Sequence, residues 1–167
     1  MKNIKLFYAI IAATALFAAC DPGYSEDVVI HNGSTHTVTV VPSPSVERDN
    51  INDTTFIHEQ KSYTLAPNES VTVQSTGGVG TASRSEGEMM MHYYLNDSVV
   101  FVFDDNRRIV YYEENIDGIS PYNFGSSNYS YEEKLNESGP FKNCANYGKL
   151  TYTVSDEHYA AACSGAK

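Results

Sequence analysis

The chain has 167 residues, with 21 Asp and Glu against 11 Lys and Arg, a formal charge of −10 at neutral pH. That charge excludes a nucleic-acid partner, which needs a basic surface, and opposes a domain lying flat on anionic lipid. The length suits one domain with a core of its own.

Lys2 and Lys5 precede an uncharged run from Leu6 to Phe17, and Ala18-Ala19 stand before Cys20. A positive start, an apolar run and a small-residue site form the order of a segment removed on export. The cysteine directly after the small pair resembles the lipobox of bacterial lipoproteins. That resemblance implies cleavage after Ala19, lipidation of Cys20, and a mature chain anchored extracytoplasmically at the bacterial outer membrane. The apolar run is shorter than the ~20 residues that span a bilayer. Residues 1–19 are therefore expected to be a signal peptide, 20–27 a lipidated tether and 28–167 a single β-sandwich domain. A second acyl chain turns marginal membrane binding into firm binding, at roughly 0.8 kcal/mol per buried CH₂. The tether is polar and contains Pro22 and Gly23. Its acids Asp21, Glu26 and Asp27 resemble the surface-export signals of some gut-bacterial lipoproteins.

Val28 to His31 and His36 to Val41 flank Asn32-Gly33-Ser34-Thr35, and two β-branched runs around Asn-Gly predict a hairpin. Pro42 to Asn52 reads as a loop. Phe56 to Leu65 contains a strand by its imperfect alternation, Pro67-Asn68 turns, and Ser70 to Gln74 is a short strand. Gly77 to Gly87 reads as flexible, and Glu88 to Leu95 as a strand rich in methionine and tyrosine. Ser98 to Phe103 is continuous and apolar, as in a strand covered on both faces. Asp104 to Asn106 turns the chain into Arg108 to Tyr112. Ile119 to Tyr131 is irregular. Lys149 to Val154 is a last strand, followed by a helix with Ser155 as its N-cap and acids in its first turn. Short strands with frequent turns predict a mostly β fold, an antiparallel β-sandwich with a short C-terminal helix.

The early paired runs, Asp97 to Asp105 (DSVVFVFDD) and Tyr152 to Tyr159 (YTVSDEHY) together resemble small uncharacterised lipoproteins of gut bacteria. The resemblance implies an immunoglobulin-like sandwich and assigns no catalytic residue. Asp53-Thr54-Thr55 and Asp97-Ser98-Val99 resemble the acceptor of O-glycans in exported proteins of such bacteria, which makes Thr54 and Ser98 candidate O-glycosylation sites.

With Cys20 acylated, Cys144 and Cys163 remain as an even pair in a compartment that permits disulfides. A bridge between them would close a loop of about 20 residues and add roughly 3 kcal/mol; two free thiols are the other reading. Cys144 with His158 is also the only nucleophile–base pair worth weighing, and it defines the alternative of an extracytoplasmic hydrolase or thiol enzyme. No local signature supports it, and a non-enzymatic protein is expected. His31 and His36 flank the first turn but lack further ligands at metal spacing. Asp49, Asn50, Asn52 and Asp53 lack the glycine and terminal glutamate of a calcium loop. Gly77, Gly78 and Gly80 lack the Lys-Ser/Thr of a phosphate loop. No metal and no cofactor is expected.

Ten of the thirteen tyrosines fall between Tyr93 and Tyr159. Residues 120–131 (SPYNFGSSNYSY) have the Tyr, Ser, Gly and Asn make-up of binding loops. Tyr122, Phe124, Tyr129 and Tyr131 are therefore the candidate contact surface for a protein or glycan partner, the membrane lipid being met only through Cys20. The competing reading is scaffold, because tyrosine also favours strands.

Overall fold

The computed structural model describes residues 22–49, 54–116, 118–139 and 141–164. The described residues are mostly β, with two four-stranded sheets, a separate hairpin and two helices among them. The strands are β1 (Gly23–Asn32), β2 (Val38–Pro42), β3 (Ser45–Asp49), β4 (Thr54–His58), β5 (Tyr63–Leu65) and β6 (Ser70–Val79). They continue, after helix α1 (Arg84–Leu95), with β7 (Ser98–Phe103), β8 (Arg108–Tyr112), β9 (Tyr129–Leu135) and β10 (Ala145–Val154). Helix α2 (Asp156–Ser164) follows.

The first sheet has the order β6-β1-β10-β9, the second β5-β2-β7-β8, and β3 pairs only with β4. Among the described residues all ladders are antiparallel except one: β1 runs parallel to β10, with Val28 opposite Leu150 and Ile30 opposite Tyr152. The sandwich is shown by its core. Val28, Ile30, Leu150, Tyr152 and Val154 from one sheet share a buried cluster with Val38, Val40, Val99, Phe101 and Phe103 from the other. The Phe101 and Tyr152 rings lie 6.2 Å apart across it.

The sheet inner face is not covered by one partner throughout. Every second residue of β1 from Glu26 to Asn32 points inward and is buried, as do alternate residues of β10 from Gly148 to Val154. The second sheet covers Val28 and Ile30. At the Glu26 end α1 packs on β1 and β10 instead, bringing Met91, Tyr94 and Leu95 into the core.

Several sequence expectations change here. The Asn32-Gly33 segment is not a hairpin, because β1 and β2 belong to different sheets. A two-residue hairpin of type I′ needs positive φ at both central residues, and neither Asn32 nor Gly33 is in that region. Asn32 is fully buried instead. Its Nδ2 donates to the carbonyls of His36 (2.8 Å) and Leu65 (2.9 Å), and its Oδ1 accepts from the Ser34 hydroxyl (2.7 Å). Gly33 is needed for close approach, since a Cβ there would stand 2.8 Å from Thr153 Cγ2. The segment is an arch that carries the chain from one sheet to the other.

Residues 84–95 are a helix and not a strand. Ser83 caps it, its Oγ accepting from the Glu86 N–H at 3.3 Å, and Ser83-x-x-Glu86 is the sequence form of a capping box. The glycines before it are not a flexible turn: Gly77 and Gly78 sit in β6, opposite Ser25 and Tyr24. The Tyr24 ring covers Gly78, where a Cβ would come within 3.1 Å of it. This also corrects the tether, because β1 begins at Gly23 and residues 23–27 belong to the first sheet. β3 occupies part of the expected loop 42–52. The central strand, β7, lies between β2 and β8, but it is not covered on both faces: Val99, Phe101 and Phe103 are buried, whereas Val100 and Val102 on the other face are half-buried. The turn after it, with Asn106 at φ 67°, and the closing strand and helix stand as expected.

Candidate functional site

The tyrosine-rich segment, the sequence's first candidate, turns out to line the core. Tyr122 and Tyr129 are 3% and 7% exposed. The Tyr122 hydroxyl donates to the Asn96 carbonyl at 2.8 Å, and the Tyr129 hydroxyl to the Pro121 carbonyl at 2.5 Å. The Tyr129 ring lies 4.8 Å from that of Tyr152 and 5.2 Å from that of Phe124. Phe124 and Tyr131 are half-buried against the same core. Burial pushes the phenols of Tyr122 and Tyr129 well above their ordinary range. These rings are scaffold, and their correction has a physical reason. A tyrosine at a sandwich seam buries its ring and gives its hydroxyl to an otherwise unpaired loop carbonyl.

The structure does not bring Cys144 and His158 together. Cys144 immediately precedes β10 and His158 stands in the first turn of α2 after it. The ten residues of β10 rise about 33 Å between them. His158 is fully buried, and both of its nitrogens are engaged. The Ser155 N–H donates to Nδ1 at 3.0 Å, which places the ring hydrogen on Nε2. Nε2 faces the Tyr152 hydroxyl at 2.6 Å and the Ile119 carbonyl at 3.1 Å. Burial lowers its pKa to about 4. A neutral imidazole tying Ile119, Tyr152 and Ser155 together is a structural lock, not a free base. Ser155 thus meets the His158 ring at the entry to α2, and its carbonyl accepts from the His158 N–H at 3.0 Å.

Cys144 is a half-buried free thiol. Cys163 lies in the last turn of α2, beyond the far end of the same strand. The nine-residue helix regains about 13 Å of the strand's 33 Å, leaving a gap far wider than the ~4.4–6.8 Å between Cα atoms of a disulfide. Of the two readings left open, a bridge or free thiols, Cys144 takes the free form.

Cys20 lies outside the described residues, as do Asn50, Asn52 and Asp53. Thr54 opens β4, and Ser98 opens β7 half-buried, its N–H donating to Ser43 Oγ at 3.1 Å. His31 and His36 do not converge. His31 Nδ1 meets Ser70 Oγ at 2.9 Å, whereas the His36 ring stacks on Tyr159 at 3.6 Å. Among the described residues no three His, Cys, Asp or Glu side chains gather as metal ligands would.

Two places that sequence reasoning missed carry unusual chemistry. The first is Glu26, fully buried on the inner face of β1. Its Oε2 accepts from the Tyr131 hydroxyl at 3.2 Å, and its Oε1 has no hydrogen-bond partner. Two glycines make room for it. A Cβ on Gly148, its neighbour on β10, would collide with the carboxylate and the Tyr131 hydroxyl, and one on Gly87 of α1 would stand 2.9 Å from Oε1. Next to it the Tyr24 hydroxyl donates to Glu86. Burial is the largest cause that raises the Glu26 pKa to about 7; Tyr131 opposes it, and the negative charge of Glu86 adds to it.

The second is an apolar exterior. Met89 and Tyr93, one helical turn apart on α1, are 67% and 65% exposed, and Val46 and Ile57 are 65% and 66% exposed. Val46 and Ile57 are direct partners in the β3–β4 ladder, so they share a face. Val46 and Tyr93 line one open cleft of about 550 Å³ with Ser45, His58, Glu59 and Gln60. Asn96 fixes the two elements together by donating from Nδ2 to the Pro44 carbonyl at 2.8 Å. The signal for this face was the Met and Tyr spacing of residues 89 and 93 on a helix, hidden when the segment is taken as a strand.

No family model matches the chain, and no curated protein matches it.

Proposed function

We propose that this chain is a membrane-anchored extracytoplasmic lipoprotein whose β-sandwich acts as a non-enzymatic binding or envelope-structural module. The Lys2-to-Cys20 signal supports the address: acyl chains on Cys20 hold the domain at the outer membrane. One observation carries the binding role. Four large apolar side chains, Val46, Ile57, Met89 and Tyr93, stand about two-thirds exposed on adjacent elements. Apolar exposure concentrated on one face marks an interaction site. A two-stranded hairpin such as β3–β4 is marginal alone in water, and a partner would complete its cover. The partner is a protein segment with apolar side chains and a basic flank, because the cleft is bordered by exposed Glu59 on a domain of net negative charge.

The test uses the full acylated chain in its own envelope. Mass spectrometry of the mature N-terminus finds acylated Cys20 as the first residue; a retained residue 1–19 segment overturns the address. A photoreactive phenylalanine analogue in place of Tyr93 forms one discrete adduct that Val46→Asp abolishes, and the same probe at Ser130 forms none. Equal labelling at both positions, or no adduct at Tyr93, overturns the binding face. So does an adduct with a second copy of the chain.

A further inference from the structure

Helix α1 is held on the first sheet over a carboxyl group whose Oε1 has no hydrogen-bond partner. We propose that Glu26 is a proton-operated latch: in its neutral form it lets α1 close on β1 and β10, and in its ionised form it loosens that helix. Gly87 of α1 and Gly148 of β10 press on the carboxyl from two sides, and its buried Oε1 is without a hydrogen-bond partner. A buried charge without partners is costly, whereas a neutral carboxyl leaves a smaller deficit. The cheapest relief on ionisation is to lift the lid, because β1 is locked between β6 and β10 by ladders on both sides, whereas α1 is held by side chains.

The surroundings favour the neutral form. From α1 the group facing Glu26 is Glu86, from β9 the Tyr131 phenol, and from β1 Tyr24 and, on the opposite face, Asp27. β10 brings Gly148 and β6 brings Thr76, neither of which titrates. The charged groups acting on Glu26, Glu86 and Asp27, are both acidic. The same helix presents Met89 and Tyr93 outward, so the latch regulates the position of the contact face. That bearing on binding rests on the function proposed above; the latch itself rests on Glu26 and its cage.

Amide hydrogen exchange of the full mature chain, corrected for the intrinsic pH dependence of exchange, tests it. In the wild type the protection of α1 falls roughly tenfold to thirtyfold between pH 5.5 and pH 8, the linkage expected if opening returns Glu26 to water. The β7 amides in the second sheet do not follow. Glu26→Gln makes α1 protection independent of pH over that range. Two further variants keep the test decisive should Glu26→Gln fold poorly. Glu86→Gln, which removes the neighbouring charge, moves the transition to lower pH. Tyr131→Phe, which removes the phenol that donates to the ionised form alongside the Ser83 backbone N–H, moves it to higher pH. Flat protection in the wild type, or a transition that none of these variants shifts, overturns the latch, whatever the Tyr93 probe shows. A transition in α1 without any adduct at Tyr93 supports the latch and overturns the contact face.

Discussion

Along β1 the inward side chains change character from one end to the other. Val28 and Ile30 share the core with Val99, Phe101 and Phe103 of the second sheet, and the cover there is apolar and aromatic. Glu26 meets α1, and the cover there is two glycines, two phenols and a second glutamate. The sheet-covered end also holds a buried titratable group, His158, but with both nitrogens bonded. Glu26 has one oxygen bonded and one not. The comparison teaches that the same sheet face supports a closed end, in which every polar atom of its ionisable group is matched, and an end left one hydrogen bond short. Incomplete satisfaction belongs to the end whose lid is a helix, because a helix is displaced more easily than a laddered strand.

The sharpest way to break the closed end is Phe101→Ala. It removes the ring that touches Tyr111, Tyr152 and His158, and urea unfolding should show a loss of about 4 kcal/mol. At the other end Gly148→Ala places a methyl against the Glu26 carboxyl and Tyr131. The expected loss is about 3 kcal/mol by the same measurement, the high side for overpacking. If Gly148→Ala were neutral, the Glu26 cage would be loose and the contrast between the ends would vanish.

Acid–base behaviour separates the ends by sign. Glu26 has its pKa raised to about 7, so its contribution to stability is fully present below the ordinary carboxyl pKa and is lost as pH rises to about 7. His158 has its pKa lowered to about 4, so its contribution is present above the ordinary imidazole pKa and is lost as pH falls to about 4. Between about pH 4.5 and 6.5 the two slopes oppose each other and largely cancel. Glu26→Gln should leave a stability that rises with pH across that window, by about 2 kcal/mol relative to wild type. His158→Gln should leave one that falls by a similar amount. Thermal unfolding of the three proteins at half-unit steps of pH reads both slopes, and parallel curves would remove the assignment. The smallest effect is on the lid alone. Ser83→Ala removes the N-cap of α1 and should cost about 1 kcal/mol, visible as faster exchange in α1 before any change in β7.

Much of the scaffold was legible. Continuous β-branched and aromatic residues from Ser98 to Phe103, followed by Asp104-Asp105-Asn106, determine the β7–β8 hairpin locally, since that turn accepts Asn106 in the left-handed region. The acids after Ser155 likewise start α2. Ser83-Arg84-Ser85-Glu86 has the form of a helix start but lies inside the stretch 77–87 that reads as flexible, and the tyrosines and methionines after it carry β and helix signals at once. The candidate contact residues were readable as aromatic, but not as buried. Tyr122 and Tyr93 have the same side chain, and only the fold gives one a carbonyl in the core and leaves the other on the surface of α1.

The sequence alone determined the β class, the turns at Asn68 and Asn106 and the closing helix, because each depends on residues close together in the chain. The tertiary structure decided that Asn32-Gly33 is an arch, that the first strand runs parallel beside the last, and that Glu26 is caged beneath a helix. Those outcomes depend on which distant surface covers an inward side chain, and burial of that kind is a property of the assembled core that no local spacing encodes.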